Sequence, residues 1–368
     1  MTNVFSFVKK NAVMEIALVA AVITTFFVPV DKEYLGYFDF KTLSCLFCVL
    51  AVVCALKHIN FFYILARKIV ESFGNIKYCI LSLVYITFIG SMLIANDMAL
   101  LTFLPLGYYI LEATGQQKHM AFTFIMQNIA ANLGGMLTPF GNPQNLYLYT
   151  KFDIPNGEFV TIMLPPFLIA VAIITACCLI FVKSEKLSIT GNEVKLDYKK
   201  AGLYLALFIL AIAIVFRGVP YIVGLIVIPS VLLIFDRKAL KEVDYPLLLT
   251  FVFFFVFAGN MARIDVVREI FSFLLNKSVL LFSVISCQFI SNVPSAILLS
   301  QFTENYRELL LGVNIGGVGT LIASLASLIT FREYHKHNPN KTFNYVAKFS
   351  AFNFGFLALL SGFEMVII

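Results

Sequence analysis

Long apolar runs, separated by short polar segments, repeat along the whole chain. A membrane-spanning helix needs about 20 predominantly apolar residues, fewer where the span is short. Seven uninterrupted runs approach or exceed that length, at about 12–30, 42–56, 160–182, 201–216, 219–235, 246–262 and 346–367. The pattern predicts an all-α polytopic membrane protein.

Two further apolar regions contain a short polar interruption near their middle. Residues 78–111 are too long for one crossing and contain the pair Asn96-Asp97, while residues 278–303 contain SNVPS at 291–295. A chain that turns back at such a point leaves the membrane on the side where it entered. We therefore predict two re-entrant helical hairpins.

Two other apolar regions contain clusters of glycine, proline and asparagine. Residues 119–149 contain NLGGMLTPFGNPQN at 132–145, and residues 306–331 contain NIGGVGT at 314–320. Such residues release backbone groups from the helix, and irregular backbone persists in a membrane only where it is buried in protein or lines a wet cavity. The sequence therefore predicts two broken transmembrane helices.

The composition supports this fold class. The 368 residues are 60% apolar and 13% charged, against roughly 45–50% and about 25% in soluble domains, which excludes an ordinary soluble enzyme, a disordered protein and a disulfide-stapled secreted module. The seven cysteines lie in apolar runs without a CxxC pair, so we interpret them as small buried residues. No nucleotide-binding P-loop motif is present.

The basic residues predict an orientation, because cytoplasmic loops are enriched in Lys and Arg. With a cytoplasmic N-terminus, a first span retained after Lys9 and Lys10, and nine full crossings, nineteen of the 27 basic residues lie inside. The eight outside are Lys32, Lys41, Lys151, Arg217, Arg263, Arg268, Lys277 and Arg307. In this arrangement the first hairpin opens to the cytoplasm and the second to the outside. The net charge of +6 then needs no nucleic-acid partner.

The halves of the chain present the same elements in the same order. We predict a first repeat at 1–182, a cytoplasmic linker at 183–200 and a second repeat at 201–368, with an additional span near 201–216. The broken-helix strings NLGGMLTPFGNPQNL and NIGGVGTLIASLASL align, as do the hairpin strings IANDMALL and ISNVPSAILL. Because the halves enter from opposite sides, this is an inverted repeat, an arrangement typical of secondary transporters with a site at the bilayer midplane.

Polar residues at the predicted tips and breaks form the candidate site. Neutral amides and hydroxyls together with exposed helix ends suit a carboxylate or oxyanion beside a compensating Na⁺ or H⁺. The predicted substrate-binding residues are Asn96, Asp97, Asn132, Thr138, Asn142, Ser291, Asn292, Asn314 and Thr320. The predicted coupling-ion residues are Asp97, Asn96, Gly134, Gly135, Ser291, Asn292, Gly316 and Gly317.

Each of these assignments has a structural alternative. The Gly-Gly pairs also suit close helix packing, and Asn96 and Asn292 suit N-capping of the second hairpin leg. A charged Asp at the bilayer centre costs about 2.5–3.5 kcal/mol on insertion scales. Asp97 therefore either carries the coupling ion or caps a helix at a wet tip.

At these motifs the sequence resembles the ion transporter superfamily, which includes divalent anion/sodium symporters, citrate permeases, arsenite-efflux permeases and a branch of sodium/proton antiporters. The motifs that carry the resemblance are AND at 95–97, NLGGMLTPFGNPQN, SNVPS and NIGGVGT. The symporters have Ser-Asn-Thr at both tips, whereas here Val293 replaces the second Thr and Ala95 and Asp97 flank Asn96. The resemblance implies a homodimer with elevator-type movement.

The sequence leads to a main functional hypothesis and several alternatives. The main one is a secondary transporter of a small anion such as a di- or tricarboxylate, in the cytoplasmic membrane, coupled to Na⁺ or H⁺ and without a cofactor. The carboxylate of Asp97 motivates arsenite or antimonite efflux or Na⁺/H⁺ antiport as alternatives. A non-transporting membrane sensor would need a soluble output domain. A membrane enzyme is not predicted, since no catalytic constellation is apparent.

Overall fold

The computed structural model describes residues 12–186 and 196–367. Lys9, Lys10 and residues 187–195 of the predicted linker lie outside the described residues. Within the described part, regular structure consists of α-helices and short 3₁₀-helices, with an isolated bridge between Asn75 and Lys186. The predicted all-α fold is therefore confirmed.

The first half contains eight described α-helices. They are α1 (Ala12–Thr25), α2 (Phe40–His58), α3 (Phe61–Glu71), α4 (Ile76–Ile94), α5 (Asn96–Ala113), α6 (Met120–Gly134), α7 (Pro143–Lys151) and α8 (Asn156–Phe181). The α4–α5 pair occupies the first predicted hairpin, and α6 and α7 are the two parts of the first predicted broken helix. The 3₁₀-helix Lys32–Tyr37 lies between α1 and α2.

The second half contains ten described α-helices. They are α9 (Tyr198–Val215), α10 (Tyr221–Phe235), α11 (Arg237–Lys241), α12 (Tyr245–Ala262), α13 (Asp265–Leu275), α14 (Val279–Ile290), α15 (Asn292–Leu299), α16 (Tyr306–Ile315), α17 (Leu325–His337) and α18 (Thr342–Ile367). The predicted linker ends earlier than residue 200, because the Asp197 side chain accepts a hydrogen bond from the Lys200 N–H and so caps α9. The α14–α15 pair occupies the second predicted hairpin, and α16 and α17 flank the second break.

The lengths and apolar surfaces of these helices fit a multi-pass membrane protein. Six helical segments of the described chain are long and apolar enough to cross a bilayer by themselves, and the bent pair α13–α14 would make a seventh. The helices α1 and α10 are apolar but shorter. Many large apolar side chains face outward, such as Phe27, Ile180 and Phe235. Such surface is stable where lipid covers it.

The helices pack as two groups. In one group, α1 packs against α12, and α2 packs against α9, α10 and α11. In the other, the first hairpin packs on α6 and the second hairpin packs on α16. The second part of each broken helix crosses to the other half of the chain, so that α7 packs against α15 and α16, while α17 packs against α5 and α6. The hairpins and broken helices therefore form one interlocked unit.

Among the described residues, the ion pairs between separate segments join residues that the charge pattern assigns to the same side. The pairs are Arg263–Asp31, Arg263–Glu33, Arg217–Asp153, Lys118–Glu185, His58–Asp236 and His58–Glu242. The pairs of Arg263 and Arg217 belong to the predicted outer side, and those of Lys118 and His58 belong to the predicted inner side. Which of these two faces lies in the cytoplasm, and the opposite orientation of the repeats, stay predictions.

Candidate substrate and coupling-ion site

Each hairpin turns at one residue with unusual backbone geometry. Ala95 ends α4 with φ 65° and ψ 149°, and Ser291 ends α14 with φ 74° and ψ 160°. This region is almost exclusive to glycine, and another residue there costs of order 1–3 kcal/mol. The next residue in both cases is an asparagine whose Oδ1 accepts the following backbone N–H, at 2.8 Å for Asn96 and 2.9 Å for Asn292. The two tips thus have the same conformation.

Each tip is bound to the break of its own half by a backbone hydrogen bond. The Asn96 N–H donates to the Gly141 carbonyl at 3.1 Å, and the Asn292 N–H donates to the Ala323 carbonyl at 2.9 Å. In the alignment of the broken-helix strings, Gly141 and Ala323 occupy the same position. The equivalence that the sequence predicts between the two motif pairs therefore extends to their contacts.

Two threonines form a second matched pair of contacts. The Thr138 hydroxyl donates to the Met92 carbonyl at 2.8 Å, and the Thr320 hydroxyl donates to the Gln288 carbonyl at 3.0 Å. Met92 and Gln288 each lie four residues before a tip asparagine. Both threonines thus fix a break to the first leg of a hairpin, and these hydroxyl hydrogens are already engaged within the protein.

Six buried side-chain amides from both halves form a connected group, which we call the amide cluster. Its members are Asn96, Asn132, Asn142, Gln144, Asn145 and Asn314. Asn96 Nδ2 donates to Asn132 Oδ1 at 3.2 Å, and Asn142 Nδ2 donates to Asn314 Oδ1 at 3.2 Å. Asn314 Nδ2 in turn donates to Asn145 Oδ1 at 2.6 Å. The cluster therefore links the first tip, the first break and the second broken helix.

Gly317 brings the second tip to the same place. A Cβ atom on this glycine would lie 3.2 Å from Asn292 Nδ2 and 3.6 Å from Asn132 Oδ1. The second tip therefore approaches Asn132 of the amide cluster in the protein interior, where a side chain at position 317 would intrude. A Cβ atom on its counterpart Gly135 would collide with Asn142 Oδ1.

The other glycine of each pair has a packing role. A Cβ on Gly134 would collide with the Phe88 carbonyl oxygen, and one on Gly316 would lie 2.8 Å from Cys287 Cβ. Both contacts are with the first leg of a hairpin. Of the predicted coupling-ion glycines, Gly134 and Gly316 thus permit close helix packing, whereas Gly135 and Gly317 lie at the cluster.

Two acceptors of the amide cluster have no donor. Asn142 Oδ1 and Gln144 Oε1 are buried and form no hydrogen bond within the described residues. An unsatisfied buried polar atom costs about 1–3 kcal/mol. Carbonyl oxygens in this situation favour a bound cation or a water molecule, because both can supply the missing positive partner.

Asp97 does not join the amide cluster. Successive residues of an α-helix point about 100° apart, so the side chain of Asp97 is directed away from that of Asn96 at the start of α5. It is half-buried, its Oδ1 has no hydrogen-bond partner among the described residues, and it borders a cavity of about 50 Å³ shared with Phe140, Asp244 and Leu325. Asp244 is exposed at the start of α12 and caps it. Two carboxylates thus share a space large enough for a few water molecules.

The second tip borders a different kind of cavity. Ser291 and Pro294 line an apolar cavity of about 640 Å³ together with phenylalanines such as Phe254 and Phe289. Val293, which corresponds to Asp97, is half-buried and apolar. The backbone geometry of the tips is matched, whereas the chemistry beside them is not.

Sequence reasoning missed three residues of this site. Gln144 and Asn145 lie within the GNPQN string but were not singled out as ligands. Gln288 Nε2 donates to the Gly316 carbonyl at 2.9 Å, and its Oε1 accepts the Thr320 N–H at 2.9 Å, so it satisfies the second break. The signal for Gln288 was available, since it is a single amide in an apolar run four residues before a tip asparagine.

Comparison with known proteins gives a family for this architecture. Residues 4–306 match the family described as citrate transporter. An uncharacterized transporter of Methanocaldococcus jannaschii is 34% identical over 297 residues, covering 80% of this chain and 81% of that protein. The inner membrane protein YbiR of Escherichia coli is 26% identical over 320 residues, covering 84% of each chain. The chain is therefore a membrane transporter that belongs to the citrate transporter family.

Proposed function

We propose that the protein is a secondary active transporter of a small carboxylate or related oxyanion, coupled to Na⁺ or H⁺. The observation that carries this proposal is the amide cluster, which joins the first tip, the first break and the second broken helix, with the second tip beside it at Gly317. Within the described residues, the hydrogen bonds of the cluster join the side-chain amides to one another and to backbone N–H and carbonyl groups. Amide N–H groups bind carboxylate oxygens well, and a neutral site needs a co-bound cation to offset the charge of the anion.

Two groups are candidates for the coupling ion. The unpartnered oxygens of Asn142 and Gln144 suit Na⁺, a hard cation that prefers oxygen ligands as Ca²⁺ and Mg²⁺ do. The carboxylate of Asp97 suits a proton, since one oxygen is buried without a partner and the neutral form needs less solvation. The two possibilities predict different gradient dependence.

The proposed mechanism is of the elevator type, in a homodimer as the superfamily resemblance implies. The interlocked unit of hairpins and broken helices would move against the group formed by α1, α2 and α9–α12. This division follows the packing of the helices, and it would carry the amide cluster as a whole. Ion and anion would then move together.

Uptake into proteoliposomes tests the proposal. Purified protein would be assayed with citrate, succinate, sulfate, arsenite and Na⁺ under imposed Na⁺ or H⁺ gradients. We expect gradient-driven uptake of a carboxylate or sulfate. Asn314→Ala should reduce it at least about tenfold, because the variant leaves several buried amides unpaired, whereas the exposed Asn276→Ala should not. Flux of arsenite or Na⁺ alone would contradict the proposal.

The variant Asp97→Asn assigns the coupling ion. If Asp97 carries a proton, this variant loses stimulation by an inward H⁺ gradient, while Glu112→Gln, at the far end of the same hairpin, keeps it. If Na⁺ binds at Asn142 and Gln144, Asp97→Asn leaves the Na⁺ dependence intact. Unchanged rates under both gradients would exclude Asp97 from coupling.

A second candidate function is cation/proton antiport. The observation that favours it is the cavity that Asp97 shares with Asp244, since two carboxylates attract cations and repel a dianion. Na⁺-driven H⁺ efflux from proteoliposomes, without uptake of any anion in the panel, would support this function.

A further inference from the structure

A polar cavity lies between the two helix groups, on the face that the charge pattern assigns to the outside. Its volume is about 410 Å³. The segment before α2, the start of α2 and part of α12 line one side, and the end of α7 and the residue Gln301, which follows α15, line the other. The polar side chains that line it are Tyr37, Asp39, Lys41, Tyr147, Thr150, Lys151 and Gln301.

The two lysines give this cavity its charge. Neither Lys41 nor Lys151 forms an ion pair within the described residues. Both oxygens of Asp39 are engaged at the start of α2, where they accept from the Thr42 N–H at 2.9 Å and the Thr42 hydroxyl at 2.6 Å. Lys151 interacts electrostatically with Glu304, which does not line the cavity, and with Asp39, which does. Two ammonium groups and one carboxylate therefore give the lining a formal net charge of +1.

Neutral polar groups lie beside the lysines. The Tyr147 hydroxyl is 2.9 Å from the Ser300 hydroxyl, and Gln301 Nε2 donates to the Tyr147 hydroxyl at 3.4 Å. Lys151 Nζ lies 5.9 Å from the centre of the Tyr147 ring. Ammonium, hydroxyl and amide donors in one polar concavity are the groups that bind carboxylates and oxyanions.

One helix, α7, contributes residues to both the cavity and the amide cluster. Asn145 belongs to the cluster and Lys151 to the cavity, and both lie on α7. At 1.5 Å per residue the six steps between them span about 9 Å. An anion held by the lysines is thus about two helical turns from the proposed transport site.

We propose that this cavity is an anion-binding vestibule, which captures a small carboxylate or oxyanion from the outer solution before it reaches the amide cluster. The substrate class rests on the proposed function, whereas the positive potential at Lys41 and Lys151 does not. The two lysines raise the local concentration of anions, and movement of the interlocked unit changes the distance between the two walls.

Cysteine labelling measures the potential without transport. The variant Thr150→Cys places a thiol in the cavity, and the seven native cysteines are buried or half-buried. The measured quantity is the labelling rate of an anionic methanethiosulfonate divided by that of its cationic analogue. We expect this rate ratio to be roughly threefold to tenfold higher at position 150 than at Leu35→Cys, an exposed site on the same face, as two nearby unit charges in water would produce. Adding Lys41→Gln and Lys151→Gln should abolish this difference, and the distant Lys277→Gln should not.

Protection by citrate or sulfate tests binding. Either anion should slow labelling of Thr150→Cys by the cationic reagent as well as by the anionic one, and should do so less when both lysines are replaced. Equal reagent ratios at positions 150 and 35, or no protection by either anion, would overturn the vestibule. If the charge preference and the protection are both observed while proteoliposomes take up no anion, the proposed function fails and the vestibule stands. Anion uptake with a KM unaffected by the double lysine variant would reject the vestibule alone.

Discussion

At the residue scale, asparagine and glycine determine what the site can hold. Asn314 illustrates the first, because its Oδ1 accepts from Asn142 and Gln144 while its Nδ2 donates to Asn145 and the Leu310 carbonyl. An aspartate here would lose both donors, and an apolar residue would remove four hydrogen bonds, two of which are the only ones of Gln144 Nε2 and Asn145 Oδ1 among the described residues. The side-chain amide is therefore the group that this position requires.

The glycine at position 317 leads to a specific prediction. Gly317→Ala adds a methyl group 3.2 Å from Asn292 Nδ2, which is tighter than ordinary contact and displaces the second tip by a few tenths of an ångström. We expect transport to fall about tenfold, because small misplacements of binding groups have large effects on rate. Initial rates of gradient-driven uptake at equal protein content measure this.

Gly202→Ala is the matched control. Nothing lies within 4 Å of a Cβ at this position on α9, and alanine is the better helix former. Its transport rate should match that of the unmodified protein. A Gly317→Ala protein that transports equally well would show that the gap beside the tip asparagines is not used.

At the element scale, the strained hairpin tips recur in both halves. The matched pair at Ala95 and Ser291, each followed by an asparagine bound to its own break, indicates that the positive φ aligns the second leg with the cluster. Strain of this kind is retained where surrounding structure enforces it, commonly at functional sites.

Relief of this strain is measurable. Ala95→Gly should raise the free energy of unfolding by about 1 kcal/mol, because glycine adopts φ 65° without steric cost. Ala206→Gly, at an exposed position in the interior of α9, should lower it by about 0.5–1 kcal/mol. Thermal unfolding of the purified proteins in one detergent measures whether each substitution raises or lowers the free energy of unfolding. Destabilisation by both substitutions would mean that the tip conformation is not strained.

The elements differ in how far the sequence predicted them. Polar interruptions of the apolar runs indicated where the helices end at both breaks and near both tips, since such residues release the helix, whereas the re-entrant course of the hairpins stays a prediction. The break of the first hairpin lies at Ala95 rather than at Asn96-Asp97, because Asn96 already belongs to α5. A propensity argument does not place a positive φ on alanine. The prediction that Asp97 lies with the amides has the same cause, because the direction of its side chain depends on the residue at which α5 begins.

At the scale of the whole molecule, the sequence predicted which loops lie together but not which residues meet across the halves. The ion pairs Arg263–Asp31 and Lys118–Glu185 join loops assigned to the same side by charge counting alone. By contrast, the contact between Asn314 and Asn145 depends on α7 crossing to the second half. Pairing of this kind is a property of helix packing, and one sequence without relatives does not reveal it.

The predicted inversion of the halves can be tested at the ends of the hairpins in a membrane. Thr114 follows the first hairpin and Glu304 follows the second, and opposite orientations of the halves would place these two residues on opposite sides of the bilayer. In intact cells, a membrane-impermeant thiol reagent should label Glu304→Cys and leave Thr114→Cys unlabelled until the cells are permeabilised. Leu35→Cys and Tyr198→Cys, both at exposed positions, serve as outer and inner controls. Labelling of both hairpin variants from one side would reject the inverted repeat, whereas labelling of Thr114→Cys and Tyr198→Cys alone would reverse the orientation and retain the repeat.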